Sequence, residues 1–207
     1  MSDKVVVFDL GKVIFDYDLS FIAKSLSEIL QNQAIFDNVE SFVYNNMSFF
    51  ADYEKGLVSS VSFYNRCISS LEIKNLSFEN FCNVWNNIFS PNQDTIDLIL
   101  KLSKKHKLAL LSNTNELHFN FLYQKYQNFF DNNFQKLFLS YEMKQRKPDK
   151  DIYLSVIDFY KTDAQNIFFT DDKQENVDTA KEIGIKAYTF KNVEKLKQDL
   201  KDFGIEV

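Results

Sequence analysis

The chain has 207 residues, 45% of them hydrophobic and 26% charged, with a formal net charge of −5 and a mean hydropathy of −0.30. That length can bury a sizeable core, as one large domain or one domain plus an insertion, and no apolar run approaches the length needed to span a bilayer. The acidic balance argues against nucleic acid as the main partner, and the start Met1-Ser2-Asp3-Lys4 leads into a strand pattern rather than a secretory segment, so a cytoplasmic protein without membrane contact is expected.

Val5-Val6-Val7-Phe8 reads as a buried strand, because a run of β-favouring apolar residues suits a strand covered on both faces. It ends abruptly in Asp9. In a parallel sheet, ligands bind at the carboxyl ends of the strands, which places Asp9 at a candidate reactive edge. The chain has only four glycines, and one of them, Gly11, lies two residues beyond this carboxylate, which implies a sharp turn or a close approach to a ligand.

The next clear strand signal is Leu108-Ala109-Leu110-Leu111-Ser112. Between the two, apolar spacing predicts helices over 20–31, 36–50, 59–71 after a turn at Gly56, and 77–89, where Phe78, Phe81, Trp85, Ile88 and Phe89 share a face. A helical block inserted after the first strand predicts an all-helical cap over 17–90 on a core formed by 1–16 and 91–207. Cys67 and Cys82 fall in these helices without a neighbouring His or second Cys, so free thiols are expected.

From residue 92 helix and strand alternate: helix 92–105, strand 107–112, helix 115–126, a short strand near 136–140, helix 149–160, strand 167–170, helix 174–183 ended by Gly184, and a last strand over 185–190. Repeated βα units joined by short loops predict an α/β fold, a doubly wound parallel sheet of Rossmann-like kind.

Such a sheet gathers the residues that follow its strands. These are Asp9, then Ser112-Asn113-Thr114-Asn115, then Arg146-Lys147-Pro148-Asp149 before a helix, then Asp171-Asp172. Taken singly, Ser112, Asn113, Thr114 and Asp172 are ordinary helix caps. Pro148 suits a first helical turn, which would set the Lys147 cation at the positive end of the helix dipole, an arrangement that a nearby anion would repair. Asp171 and Asp172, converging on Asp9, would raise one another's pKa unless a cation neutralised them. Magnesium, a hard ion that takes carboxylate, carbonyl and phosphate oxygens, is the economical choice.

In this order, Asp9-Leu10-Gly11-Lys12-Val13, Leu111-Ser112-Asn113-Thr114-Asn115, Arg146-Lys147-Pro148-Asp149 and Phe168-Phe169-Thr170-Asp171-Asp172 resemble the four signature motifs of the haloacid dehalogenase superfamily, and the helical block resembles its inserted cap. Within it, Phe8–Ile14 and Leu111–His118 look most like bacterial α-D-glucose-1-phosphate phosphatases. The resemblance implies a magnesium-dependent phosphatase of small phosphate esters, among them sugar phosphates, working as a monomer or homodimer through an aspartyl-phosphate. Asp9 would be the nucleophile, and Lys147 would pair with it and with the phosphate. Leu10, Gly11, Ser112 and Asn113 would complete the phosphate site. Magnesium would lie on Asp9, the Gly11 carbonyl and Asp172, with Asp171 one shell further out.

One position departs from the pattern. Most phosphatases of the superfamily carry an acid/base Asp where this chain has Gly11. A sugar 1-phosphate, whose anomeric oxygen needs less protonation, is one compensation. Asp16, Asp18 or His118 reaching in is another, although a solvated or helix-surface role is the simpler expectation for each. Tyr17, Asp18, Phe49, Phe50 and Tyr53 are candidates for leaving-group contact. Two other functions fit the same motifs: a haloacid dehalogenase, and a sugar-phosphate-binding protein without efficient turnover.

Overall fold

The computed structural model describes residues 4–32 and 34–206, so the reading of Met1, Ser2 and Asp3 lies outside the described residues. The chain begins with β1 (Val5–Phe8) and β2 (Phe15–Tyr17), followed by five helices: α1 (Ser20–Ile29), α2 (Ala34–Asn45), α3 (Met47–Glu54), α4 (Ser60–Ser70) and α5 (Phe78–Asn86). After β3 (Phe89–Pro91) come α6 (Gln93–Leu102), β4 (Lys107–Ser112), α7 (Glu116–Asn133), β5 (Lys136–Leu139), the short α8 (Ser140–Met143) and α9 (Lys150–Tyr160). The chain closes with β6 (Ile167–Asp171), α10 (Gln174–Glu182), β7 (Lys186–Thr189) and α11 (Val193–Asp202).

Five strands form one parallel sheet in the order β5-β4-β1-β6-β7, the doubly wound arrangement expected from the alternation. All four residues of β1 are fully buried because the central strand is covered on both faces. Period-two alternation sorts the side chains. Val6, Phe8, Leu108, Leu110 and Phe168 join a cluster with Leu98, Leu122 and Leu200 of α6, α7 and α11, whereas Val5, Val7, Ala109, Leu111 and Phe169 face Ile152, Val156 and Val177 of α9 and α10.

The helical block packs around a separate core that includes Leu26, Tyr53, Phe63, Phe81 and Trp85. The predicted helix over 36–50 is two helices, broken at Asn46, whose backbone is non-helical and whose side-chain amide donates to the Phe42 carbonyl at 2.8 Å. A short polar side chain that bonds locally to the backbone competes with the helical ladder. The remaining differences lie at edges, apart from α11, which follows the last expected strand. An antiparallel pair of three-residue strands, β2 and β3, ties the two ends of the helical block together (Asp16 opposite Ser90), and α7 runs on to Asn133 past a kink at Tyr126. Gly184 (φ +94°) ends α10 with the bonds Gly184 N–H to Lys181 O and Ile185 N–H to Ala180 O, a Schellman closure. Cys67 is buried and Cys82 half-buried, both as free thiols, and among the described residues no helix is long and apolar enough to cross a membrane.

Candidate active site

Strand order reverses at β1, from which the chain winds to β4 and β5 on one side and to β6 and β7 on the other. Carboxyl ends of neighbouring strands splay apart at such a point and leave a crevice. The Asp9 N–H donates to the Thr170 carbonyl at 2.9 Å, which extends the ladder and sets Asp9 beside Asp171. Carboxylate oxygens of Asp9, Asp171 and Asp172 lie within 4.8 Å of one another.

Lys147 reaches this cluster from the loop between α8 and α9. Its side chain is 1% exposed, and its ammonium donates to Asp9 Oδ1 at 2.7 Å, Asp171 Oδ2 at 2.6 Å and the Leu111 carbonyl at 2.8 Å, so all three N–H groups are used. The loop is clamped to the end of β4 by two reciprocal bonds of 2.8 Å, from the Lys147 N–H to Asn113 Oδ1 and from Asn113 Nδ2 to the Lys147 carbonyl. The expected placement of Lys147 at a helix cap with Pro148 in the first turn is therefore corrected. The N-cap residue of α9 is Asp149, the Lys147–Pro148 peptide is cis, and the anions that hold the cation are the carboxylates of β1 and β6. The N-cap of α7 is likewise Asn115, whose Oδ1 accepts from the His118 N–H at 3.0 Å, which leaves Ser112, Asn113 and Thr114 free of that duty.

Burial pushes the Asp9 carboxyl up to about 7, with Asp171 adding repulsion and Lys147 opposing both. Burial and Asp171 also raise Asp172. On Lys147 burial acts downward, yet the two carboxylates outweigh it and hold the ammonium above its usual value. Asp171 is saturated: Oδ1 accepts from the Lys173 N–H (2.8 Å) and Asn176 Nδ2 (2.9 Å), Oδ2 from Lys147 and again from Asn176 (3.0 Å). Asp9 and Asp172 retain lone pairs and are short of positive charge, and a hard divalent cation would relieve that shortage. A group of carboxylate oxygens from Asp9, Asp171 and Asp172 within 4.8 Å of one another fits magnesium chemistry. Asn176, one turn into α10, was not singled out from the sequence; its position five residues after Asp171 was the available signal.

Gly11 sits at a close approach of a side chain. A Cβ built there would stand 2.9 Å from Cε1 of Tyr17, whose ring packs against the site, and the sharp turn belongs to Lys12 (φ 60°). Gly11→Asp is therefore expected to cost about 1–3 kcal/mol through overpacking against the Tyr17 ring. In a Tyr17→Ala background the same substitution should cost less than it does alone; equal melting temperatures for Gly11→Asp and wild type would show that Tyr17 yields freely.

His118 is not a surface residue. It is 9% exposed, stacks on Trp85 with centroids 4.9 Å apart, and lies 3.0 Å from the Trp85 carbonyl through Nε2 and 3.1 Å from Asn115 Nδ2 through Nδ1. Those partners suit a neutral ring with its proton on Nε2, and burial lowers its pKa to about 4 from 6.5. The folded value lies below the unfolded one, so stability falls as pH drops from 6.5 towards 4, by up to roughly 3 kcal/mol. Thermal unfolding of His118→Gln should show a flatter dependence across that window. Asp16 and Asp18 are exposed, and Asp18 Oδ1 accepts from the Ser20 N–H (2.9 Å) and hydroxyl (2.7 Å), so neither is held over Asp9.

The helical block is fastened over the cluster. Arg146 Nη2 meets Glu54 Oε2 at 2.9 Å, Lys144 Nζ donates to the Gly56 carbonyl at 2.7 Å, and the Ser140 hydroxyl donates to the Glu54 carbonyl at 2.7 Å. Beneath it a cavity of about 370 Å³ is lined by Asp9, Leu10, Gly11, Ser112, Asn113, Lys147 and Asp172, and from the block by Tyr17, Phe50 and Tyr53 among others. Asp18 and Phe49 do not line it; Phe49 stacks on Phe63 inside the helical core.

A central-strand carboxylate, a buried lysine bridging it to a second carboxylate, and a third beside them, all at the switch point of a doubly wound sheet, define a hydrolase site built around an aspartate. The profile of the haloacid dehalogenase-like hydrolases matches residues 6–190, and the chain belongs to that family. It is 25% identical over 202 residues to a D-ribitol-5-phosphate phosphatase of Bacteroides thetaiotaomicron, covering 95% of this chain and 96% of that protein. A haloacid dehalogenase family enzyme from Bacteroides thetaiotaomicron, crystallised with magnesium and inorganic phosphate, superimposes with a TM-score of 0.81 at 31% identity, over 91% of this chain and 94% of that one. A predicted HAD-like family hydrolase of Porphyromonas gingivalis shares the fold over the full length of both chains, with a TM-score of 0.80 at 23% identity.

Proposed function

We propose that this hydrolase is a magnesium-dependent phosphatase of small phosphate monoesters, with Asp9 as nucleophile and residues 17–90 as a cap over a catalytic core of 1–16 and 91–207. The observation that carries the reading is Lys147, fully buried and bonded at once to Asp9 and Asp171. A carboxylate can approach a phosphate dianion only where fixed positive charge offsets their repulsion.

In this mechanism Asp9 attacks phosphorus, the ester oxygen leaves with its electron pair, and water then cleaves the aspartyl-phosphate to restore Asp9. Lys147 holds the attacking carboxylate in place and faces the charge that builds on the phosphoryl oxygens, which the Ser112 hydroxyl and the backbone N–H groups of Leu10, Gly11 and Asn113 also receive. Magnesium, held by Asp9, Asp172 and the Gly11 carbonyl with Asp171 behind them, supplies further charge neutralisation when bound.

The names and contents of the relatives support the phosphate chemistry. Sugar and polyol phosphates, glucose 1-phosphate among them, are the first esters to test, and the glycine at position 11 favours esters whose oxygen leaves without much help. A haloacid would bring a carboxylate towards Asp9 and Asp172, which speaks for the phosphatase over the dehalogenase reading. Phosphate release from a panel of sugar phosphates should require magnesium and stop on chelation, and Asp172→Ala should lose the response to the metal together with turnover. Halide release that persists in chelator, or ligand binding without any phosphate release, would overturn the proposal.

A further inference from the structure

The cavity above Asp9 changes character along its depth, and the phosphate chemistry uses only one end. On the side of the helical block its walls are Ile22, Leu26, Phe42, Phe50, Trp85 and Ile88, and the exposed side chains of Leu19 and Met47 extend the apolar surface to solvent. Three of the polar groups on that side are engaged within the protein. The Tyr53 hydroxyl pairs with Ser60 Oγ at 3.0 Å, Glu54 with Arg146 at 2.9 Å, and His118 Nε2 with the Trp85 carbonyl at 3.0 Å. The Trp85 indole N–H finds no acceptor among the described residues. A sugar or polyol placed against these apolar walls would exchange water for hydrocarbon with few partners for its hydroxyls.

We propose that the substrate's leaving group is a flat aromatic or apolar body, so that the site takes aryl and aralkyl phosphates in preference to polyol phosphates. The inference rests on the phosphatase reading and adds the leaving-group class to it. Gly11 gives independent support. With no carboxyl at that position to protonate the ester oxygen, the P–O bond must break with its electron pair passing to the leaving oxygen, and a phenolate accepts that charge far better than an alkoxide. The phosphoryl group passes to Asp9, and water then releases it as inorganic phosphate.

The test separates pocket from chemistry by using two primary alkyl esters whose leaving oxygens are alike, 2-phenylethyl phosphate and ribitol 5-phosphate. Binding of each to Asp9→Asn in magnesium buffer is measured by calorimetry, and turnover of each by wild type is measured alongside. The phenylethyl ester should bind about 30-fold more tightly, the ratio that corresponds to burying one Phe-sized side chain. Phe50→Asn should narrow that ratio while leaving the affinity for inorganic phosphate unchanged; if it does not fold, the exposed Met47→Asn serves for the same comparison. Equal or tighter binding of ribitol 5-phosphate overturns the inference, whatever the turnover. Preferential binding of the phenylethyl ester, with wild type releasing no phosphate from it or from phenyl phosphate, whose phenolate leaves readily, sinks the phosphatase reading and leaves the apolar pocket standing.

Discussion

Lys147→Ala is expected to lose both turnover and fold stability. Its ammonium is enclosed by Asp9, Asp171 and the Leu111 carbonyl, with 1% of the side chain exposed. Removing one partner of a buried ion pair leaves the other charge uncompensated, at a cost of about 3–5 kcal/mol. Asp9 is already pushed up to about 7 with the lysine present, and without it the carboxyl rises further. For a carboxyl whose folded pKa exceeds its unfolded one, the penalty is complete above the folded value and fades as pH falls towards the unfolded value. The stability deficit of Lys147→Ala should therefore be largest at neutral to alkaline pH and shrink in acid. Phosphate release should fall by at least about 10²–10³-fold, as for loss of one preorganised donor. Denaturant melts at several pH values, run beside the phosphate assay, check both halves, and a stable variant with wild-type turnover would remove Lys147 from the site.

The parts of the molecule that were legible in the sequence are those with strong periodicity or strong punctuation. Val5–Phe8 could be read as a central strand because its burial on both faces demands an unbroken apolar run, and Gly184 marked the end of α10 because a left-handed residue was needed there. Asp9, Lys147, Asp171 and Asp172 could be gathered from distant loops because a parallel sheet brings the ends of its strands to one edge. The pairing of β2 with β3 was not legible: three residues are too few to show a period, and their partner lies on the far side of the helical block. Helix α11 could have been read, since Asn192 caps it and Leu196 and Leu200 share a face. The clamp of Asn113 on Lys147 and the saturation of Asp171 by Asn176 depend on side-chain directions, which no spacing rule supplies. Gly11 is the instructive case. Its residue type suggested a turn or a ligand, and the structure shows a neighbour, the Tyr17 ring, filling the space a side chain would need.

Asp9→Asn should abolish phosphate release while leaving the metal-free protein as stable as wild type or more so, the opposite stability effect from Lys147→Ala at the same site. The amide cannot form the acyl phosphate, so the covalent route closes. In the fold, the substitution removes a carboxylate that burial and Asp171 disfavour and leaves Lys147 still paired with Asp171 at 2.6 Å. The sign follows from Asp9 alone. Its folded value near 7 exceeds the unfolded value of 3.8, so wild type loses stability as pH rises between them, and the advantage of the Asn variant grows across that window and levels off above it. A residue that lowers the stability of the resting protein and is needed for turnover is held for its chemistry, because packing alone would favour the amide. Chemical unfolding of both proteins in chelator at pH 5 and pH 8, with single-turnover phosphate release in magnesium, checks the pair of expectations. Should Asp9→Asn prove strongly destabilised at pH 8, the carboxylate would be a structural counter-ion to Lys147, and the nucleophile would have to be sought elsewhere in the cluster.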